Sequence, residues 1–440
     1  MKSNRFLTLF TPGLVRRARL ASLPRGRARC VERRTLLHSS SQNIPPLNMK
    51  TESSSFFRFL ATASAGGLAM FSFSNQEATA GDDHIAAPAG VVLTSRMHLF
   101  NSQTRSDKMD KVAIYSGNSN LTLARNIAHY LSTQLSDASI GKFNDGETSV
   151  KLNESCRGKN VFIIQSICGD RGGNVALNDS LMELLLMISA ARRASAYRIT
   201  AVVPYFAYAR QNRKVPNARV TIAVADIATL LSSMGVDRVV TIDFHSPETE
   251  GCFPNRVNVT NVLSTSIGAA YFSEKNLVNP VVVSSKDGGI YRAKSFCAGM
   301  ATKGYSDVKF ASFIKETQPD GRSKRILLGD VTDSDCIIVD DIIDTGTTVV
   351  KRAKELRRAG ARRVFAFATH GVFSGNSEKL VSKTPYLDEI VVSDTIPFNE
   401  GPTTGKVKRL SLAPLIAETI RRVYHMQSTG NLTEIQDGRL

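Results

Sequence analysis

The run from Cys336 to Thr348, CIIVDDIIDTGTT, constrains the fold of this chain more than any other segment. Residues 336–339 are small or apolar and fit a strand that is covered on both faces, and an amphipathic helix begins near Val349. Between them, Gly346 lets a ligand approach the main chain, and unpaired amides at a helix N-terminus favour an anion. The run therefore predicts a phosphate-sized loop between a buried strand and a helix.

Three carboxylates in the same run refine this prediction. Asp340, Asp341 and Asp344 would repel a bare phosphate, so they are expected to bind the hydroxyls of an attached polyol or a hydrated magnesium ion. Together with the loop they indicate a site for a phosphorylated sugar. The alternative is a strand–turn–helix in which the Asp and Thr residues only cap the helix. The predicted phosphate-binding residues are Thr345, Gly346, Thr347 and Thr348.

Short apolar runs alternate with amphipathic stretches from Lys111 onward. This alternation occurs twice and predicts an α/β fold with two similar domains and mainly parallel sheets. The predicted divisions are a targeting leader and disordered linker at 1–108, domains at 109–253 and 254–427, and a tail at 428–440. Strands are predicted at 111–115, 161–166, 198–204, 238–242, 279–284, 307–313, 335–339, 363–369 and 388–393, and helices at 121–135, 177–194, 222–234, 288–302, 348–359 and 412–424.

Charge is unevenly distributed along the 440 residues. The net charge is +17, and residues 1–48 hold ten Lys or Arg against a single acid, Glu32. An Arg-rich, acid-poor leader predicts an organellar location, with the mitochondrion favoured over a plastid, a peroxisome or glycosome, and the cytoplasm. The alternative of an Arg-rich arm for nucleic acid lacks interleaved aromatic residues, so no nucleic-acid partner is expected.

Two further features limit the class of protein to which the chain can belong. The apolar stretch 56–73 is interrupted by Arg58 and by Ser, Thr and Gly residues, so no stable membrane span is expected there. This stretch is interpreted as a disordered linker or as a hydrophobic sorting segment that follows the leader. The six cysteines contain no C-x-x-C pair, which indicates buried thiols and no metal site built from cysteine.

Three more motifs carry groups that bind nucleotides, metals or phosphates. Residues 143–148 place an aromatic ring and two carboxylates around a glycine, which alone would be an ordinary turn. Residues 203–214, at the end of a predicted strand, contain aromatic residues and then a basic cluster. The cluster could bind polyphosphate, or it could simply be a solvated loop. Asp243 and His245 follow another strand and would face one side of an extended chain, as a metal ion requires; a structural histidine is the alternative.

The chain resembles the ribose-phosphate pyrophosphokinases from about Lys111 to Val423. The resemblance rests on five motifs in order, FNDGET (143–148), ARQNRK (209–214), DFH (243–245), VDDIIDTGTT (339–348) and THGVFSG (369–375). It implies two phosphoribosyltransferase-type domains and a need for Mg²⁺. It also implies transfer of the β,γ-diphosphoryl group of ATP to the 1-hydroxyl of ribose 5-phosphate. The implied assembly is a homo-oligomer, a hexamer in the family, or a hetero-oligomer with a paralogue.

The resemblance also implies roles for individual residues. Lys315 and Arg210 would be catalytic, with Lys315 stabilising charge on the transferring group. Metal ligands would be His245, Asp243 and, through a shifted turn, Asp287. ATP would be bound by Phe143, Asp145, Gly146 and Glu147 of a neighbouring subunit and by Arg210, Gln211 and His245. Ribose 5-phosphate would be bound by Asp340, Asp341, Asp344, Thr345, Gly346, Thr347 and Thr348.

Two departures from the family pattern affect the expected chemistry. Lys286 occupies the usual position of a magnesium-binding aspartate, and Thr317 occupies that of an arginine in the catalytic loop. These changes support an alternative in which the chain is a catalytically weak, regulatory partner of an active enzyme. A simple phosphoribosyltransferase is a third reading, but it would leave residues 143–148 and 209–214 without a role.

Overall fold

A computed structural model describes residues 91–92, 109–170, 173–214, 217–317, 323–398 and 405–432. The predicted leader, the stretch 56–73 and the end of the tail lie outside the described residues. Within the described ranges, no helix combines the length and the apolar character that a membrane crossing requires.

The described chain alternates strands and helices, as the sequence predicts. The strands are β1 (Val91–Val92), β2 (Val112–Ser116), β3 (Ala138–Lys142), β4 (Thr148–Leu152), β5 (Asn160–Ile164), β6 (Arg198–Val203), β7 (Arg238–Ile242), β8 (Asn258–Val262), β9 (Val281–Ser284), β10 (Lys309–Thr317), β11 (Ser323–Leu328), β12 (Asp335–Ile343), β13 (Arg363–Gly371), β14 (Glu389–Ser393) and β15 (Val407–Leu410). The helices are α1 (Leu121–Tyr130), α2 (Leu177–Arg193), α3 (Ala223–Met234), α4 (Thr265–Ser273), α5 (Ile290–Ala301), α6 (Thr347–Arg358), α7 (Ser377–Lys383) and α8 (Ala413–Tyr424).

Two mainly parallel sheets confirm the predicted α/β class. The first has five parallel strands in the order β2-β5-β6-β7-β8. The second has eight strands in the order β1-β15-β14-β13-β12-β9-β10-β11, and its β10–β11 pair is antiparallel. Strands β3 and β4 form a separate antiparallel hairpin. Central strands such as β7 and β12 are almost fully buried, because helices or the other half of the protein cover parallel sheets on both faces.

Several predicted boundaries need correction. The predicted domain boundary at 253/254 precedes β8, yet β8 pairs with β7, so the first sheet extends to Val262. The predicted helix 121–135 ends at Tyr130, because Ser132 adopts a left-handed φ of 52° that a helix cannot continue. Val91–Val92, predicted to be disordered linker, pairs with β15 at the edge of the second sheet.

A shared core joins the two halves of the described chain. Leu123 and Ile127 of α1 pack in the same buried cluster as Ile416 and Ile420 of α8. Because residues of both sheets contribute to this cluster, the halves form one compact unit. The carboxyl ends of parallel strands are where α/β proteins bind ligands. Here the carboxyl ends of β6, β7, β9, β12 and β13 carry the segments described next.

Candidate functional site

The segment between β12 and α6 forms a tight loop at the carboxyl end of the second sheet. Gly346 is the N-cap of α6 and has a φ of 73°. A Cβ added there would lie 2.6 Å from Val381 Cγ1, so a larger residue requires displacement as well as backbone strain. The N-terminus of α6, where the first-turn amides lack helical partners, borders a pocket of about 280 Å³. Pocket residues from this loop are Asp344, Thr345, Gly346 and Thr348.

Asp340 and Asp341 have different surroundings because successive side chains of a strand point to opposite faces. Strand β12 is longer than the predicted 335–339 and includes both aspartates. Asp340 lines the pocket beside the loop, whereas Asp341 is 1 % exposed and borders a smaller pocket on the other side. The prediction that Asp341 binds the sugar directly does not fit this position. Asp341 instead orients the side chains around it.

Lys286 lies between these two aspartates. Its Nζ is 3.2 Å from Asp340 Oδ1 and 3.1 Å from Asp341 Oδ1. Burial disfavours the charged amine, but the two carboxylates outweigh this effect and raise the pKa of Lys286. Burial raises the pKa of Asp340. For Asp341, burial is outweighed by the hydrogen bond with His245 and by nearby cations, so its pKa lies well below the usual range.

His245 is positioned by Asp341 at the edge of the smaller pocket. Its Nδ1 lies 2.6 Å from Asp341 Oδ2, and its side chain is 30 % exposed. We assign the Nδ1 proton from this contact, because the low pKa of Asp341 makes that carboxylate an acceptor. The lone pair of Nε2 is then free for a ligand, which is the arrangement typical of metal-binding histidines.

Asp243 does not join His245 as the sequence predicts. Its φ is 50°, so the backbone is not extended and the two side chains do not share a face. The Asp243 carboxylate is fully buried and accepts hydrogen bonds from Arg292 at 2.8–3.0 Å and from the Thr369 hydroxyl. The prediction that Asp243 is a metal ligand is therefore corrected, because its oxygens are occupied by an internal ion pair.

Arg210 connects the first half of the chain to the loop of the second half. The Arg210 Nη1 atom donates to Asp344 Oδ2 at 2.6 Å. Burial opposes ionisation of Asp344, but hydrogen bonds from Ser374 and Arg210 lower its pKa. The pocket bordered by Arg210 also contains His245 and Asp341. Residues 205–210, 243–245 and 340–344 therefore meet in space, whereas Gln211 is exposed beyond this contact.

Lys315 lies on the edge hairpin of the second sheet. It is exposed and pairs across the strands with Arg325, which lines the larger pocket. Two cations directly opposite one another repel, so an anion between them would be stabilising. Asp287 is near both: its Oδ1 accepts from the Lys315 amide at 3.3 Å, and its Oδ2 is 3.8 Å from Arg325 Nη1. These contacts place Asp287 beside Lys315 and Arg325, and its role as a metal ligand stays a prediction.

The predicted adenine-binding residues occupy the tip of the β3–β4 hairpin. Phe143 is 59 % exposed, and Gly146 has a φ of 95° in the turn. The Glu147 amide donates to Asp145 Oδ1 at 3.1 Å and so shapes this turn. All four residues are exposed, and this chain does not bring them to the pockets described above.

Sequence reasoning missed four residues that shape the site. The Ser285 hydroxyl donates to Asp340 Oδ2, and Arg292 lies within 3.9 Å of Asp341 as well as pairing with Asp243. Arg352 on α6 is 5 % exposed, lines the larger pocket and stacks on Phe313. Arg325 lies on a strand that was not predicted. No spacing rule reveals such contacts, because they depend on which helices and strands become neighbours.

A magnesium ion held by this chain alone does not fit these residues. Among the described residues, no three His, Cys, Asp or Glu side chains cluster as a metal site would require. Asp340 and Asp341 are paired with Lys286, and Asp243 is paired with Arg292. Magnesium is commonly bound by few protein groups together with substrate phosphates.

The fold is of the phosphoribosyltransferase type, with the tight loop between β12 and α6 at the carboxyl end of a parallel sheet. The family model described as the N-terminal domain of ribose phosphate pyrophosphokinase matches residues 112–235. A second model, described as the phosphoribosyl synthetase-associated domain, matches residues 298–434. The two matched ranges include the β3–β4 hairpin, Arg210, Lys315 and the loop at Gly346.

Curated relatives extend this likeness over most of the chain. Ribose-phosphate pyrophosphokinases from Haemophilus ducreyi and Vibrio cholerae are each 45 % identical, over 73 % of this chain and 98 % of their own length. The corresponding protein of Buchnera aphidicola is 44 % identical over 74 % of this chain and all of its own length. A crystal structure of phosphoribosylpyrophosphate synthetase from Mycobacterium smegmatis superposes with a TM-score of 0.63 at 31 % identity, covering 72 % of this chain and 100 % of that one. The chain belongs to the ribose-phosphate pyrophosphokinase family of enzymes.

Proposed function

We propose that this enzyme transfers the β,γ-diphosphoryl group of magnesium-bound ATP to the 1-hydroxyl of ribose 5-phosphate. The products are phosphoribosyl pyrophosphate and AMP. The observation that carries this proposal is the 2.6 Å ion pair between Arg210 and Asp344. The pair supports the proposal because it joins the segment proposed to bind the nucleotide to the loop proposed to bind the sugar phosphate, and transfer between two bound substrates requires such proximity.

On the sugar side, the loop from Thr345 to Thr348 would bind the 5-phosphate. The amides at the start of α6 and the helix dipole favour an anion there, and Gly346 allows the loop to turn tightly into the helix. Asp340 and Asp344 border the same pocket and accept hydrogen bonds from ribose hydroxyls. Asp341 supports them indirectly by orienting His245 and Lys286.

On the nucleotide side, the chain positions the triphosphate and balances its charge. Arg210 would contact phosphate oxygens, His245 would contact the magnesium that accompanies ATP, and Lys315 would neutralise charge on the transferring group. As the ribose oxygen bonds to the β-phosphorus, the bond from that phosphorus to the α,β-bridging oxygen breaks. Such a reaction needs alignment and electrostatic stabilisation more than covalent help from the protein.

We also propose that the complete ATP site needs a second subunit. The exposure of Phe143 and its neighbours at the tip of the β3–β4 hairpin supports contact with nucleotide bound to a neighbouring copy. A homo-oligomer, a hexamer by family resemblance, is the expected assembly, and a hetero-oligomer with a paralogue is the other possibility. Light scattering of the purified chain, with and without ATP, distinguishes an oligomer from a monomer.

The test of the reaction is AMP formation from ATP and ribose 5-phosphate with magnesium. We expect AMP and phosphoribosyl pyrophosphate in equal amounts from the purified chain. Omission of ribose 5-phosphate is the control for ATP hydrolysis, which would produce AMP without the second product. No product from the chain alone, but stimulation when a paralogue is added, would support the regulatory subunit instead. The 45 % identity to named enzymes favours the catalytic reading.

The Arg-rich leader supports a proposed organellar location, with the mitochondrion first. Microscopy of a tagged full-length chain, compared with a chain lacking residues 1–48, tests this location. Loss of organellar signal on deletion is expected. A cytosolic distribution of both chains would contradict the proposal.

A further inference from the structure

The strongest departure of this site from its family is a fixed ammonium where a metal ligand is expected. Lys286 follows β9, and its backbone carbonyl accepts a hydrogen bond from the Ser284 hydroxyl at 2.7 Å. The same segment contributes Ser285, whose hydroxyl donates to Asp340. The Lys286 main chain is therefore anchored beside the carboxylates that its side chain contacts.

The Lys286 ammonium occupies the point between two carboxylate oxygens. It lies 3.2 Å from Asp340 Oδ1 and 3.1 Å from Asp341 Oδ1. A divalent ion bound to both of these oxygens would have to displace the Lys286 ammonium, because the ion and the ammonium would occupy the same space between Asp340 Oδ1 and Asp341 Oδ1. An ammonium has three N–H donors, so two contacts leave one donor for a ligand oxygen in the pocket that Lys286 lines.

Charge around this point is nearly balanced without a metal. Three carboxylates, those of Asp243, Asp340 and Asp341, face the two cations Lys286 and Arg292, which leaves a net charge of −1. An aspartate at 286 would instead give four carboxylates and one cation, or −3. Such an excess of buried negative charge is strongly unfavourable unless a cation binds. The residue at 286 therefore decides whether this point requires a divalent ion.

We propose that Lys286 is a permanent internal cation that replaces a divalent metal between Asp340 and Asp341. The sugar subsite of this chain then binds no metal of its own, and magnesium enters with ATP. The remaining N–H of Lys286 donates to a sugar or phosphate oxygen of the ligand. Lys286 thus contacts the ligand and also holds Asp340 and Asp341 in position. The identity of the sugar ligand rests on the proposed function, but the metal content of the site does not.

The test measures Mn²⁺ binding to the nucleotide-free full-length chain by electron paramagnetic resonance. We expect no micromolar Mn²⁺ site in the wild-type protein, with or without ribose 5-phosphate. Lys286→Asp is expected to gain about one site per chain, because a divalent ion then relieves the carboxylate repulsion. A parallel melting curve should show that millimolar Mg²⁺ raises the melting temperature of Lys286→Asp and not that of the wild type.

Lys294→Ala is the matched control, because Lys294 is exposed on α5 and lies outside the cluster. It should behave like the wild type in both measurements. The proposal is overturned by a micromolar Mn²⁺ site in the wild type that Asp340→Asn abolishes. It is equally overturned if folded Lys286→Asp gains no site. If Lys286→Asp does not fold, the wild-type measurement decides alone. Neither Mn²⁺ binding nor the melting temperature depends on turnover, so this proposal can hold even if the chain lacks the proposed activity.

Discussion

Arg292 on α5 and Asp243 after β7 form a fully buried ion pair that joins the two halves of the chain. The Arg292 Nε and Nη2 atoms lie 2.8–3.0 Å from the Asp243 carboxylate, and both side chains are 0 % exposed. Burial opposes the charge on Arg292, but the Asp243 carboxylate outweighs this effect and raises the pKa of Arg292. Because His245 lies two residues beyond Asp243, this pair also holds the backbone that leads to His245 in position.

Breaking this pair should destabilise the protein strongly. Arg292→Met leaves Asp243 buried and uncompensated, a change that typically costs about 3–5 kcal/mol of unfolding free energy. Urea denaturation followed by circular dichroism measures the loss. Lys142→Met removes an exposed partner from the Lys142–Asp179 pair and should cost about 0–1 kcal/mol. Equal losses for the two variants would show that the buried pair has no special structural importance.

Lys315→Ala should reduce turnover with the fold intact. Loss of a charge that stabilises the transferring group costs about a hundredfold or more in turnover, by analogy with loss of an oxyanion donor. Steady-state AMP formation measures the effect, and an unchanged melting temperature excludes unfolding. Lys309→Ala changes an exposed lysine of the same strand away from the pocket and should retain activity. Wild-type turnover in Lys315→Ala would refute its catalytic role.

Gly346→Ala should weaken binding of ribose 5-phosphate. The added Cβ meets Val381 Cγ1 at 2.6 Å, and the φ of 73° costs a further ~1–2 kcal/mol for a residue with a side chain. Relief of both strains requires the phosphate loop to move. We therefore expect a higher KM for ribose 5-phosphate and a smaller change in KM for ATP.

Gly304→Ala is the matched control for this loop. Gly304 also has a positive φ, 102°, but nothing lies within 4 Å of an added Cβ. This variant should lose stability from backbone strain while its KM for ribose 5-phosphate stays unchanged. If both variants change KM equally, the loop conformation at Gly346 is not what determines sugar-phosphate affinity.

Asp335 should make stability sensitive to acid. Burial opposes its ionisation, but Arg363, Arg362 and the Val278 amide outweigh burial and lower its pKa in the folded state. A depressed pKa means that the folded state binds this proton less tightly than the unfolded state. The contribution is present above the unfolded pKa of about 3.9 and is lost as pH falls through the folded value.

Asp335→Asn should therefore be less stable than the wild type near neutral pH and show a shallower loss of stability below pH ~4. Chemical denaturation at a series of pH values measures both. Asp307→Asn makes the same chemical change at an exposed turn residue. It should follow the wild-type curve, and parallel acid curves for wild type and Asp335→Asn would contradict the prediction.

The sequence by itself determined the α/β class, the long helices and the position of the loop between β12 and α6. These features follow from local rules: hydrophobic periodicity, and a glycine with unpaired amides at a helix start. Its motifs also led to Arg210, His245 and Lys315. Short edge elements such as β8, β11 and β15 were missed, because their residues gain strand structure from pairing with neighbours rather than from a strong pattern of their own.

Tertiary structure alone decided how the charged groups are paired. Asp243 and Asp341 look like ligands in the sequence, yet burial beside Arg292, His245 and Lys286 gives them internal partners. A buried carboxylate must be neutralised, and which cation neutralises it depends on the packing of helices and strands distant in sequence. For the same reason, the effect of a lysine at position 286 became apparent only when its distances to Asp340 and Asp341 were known.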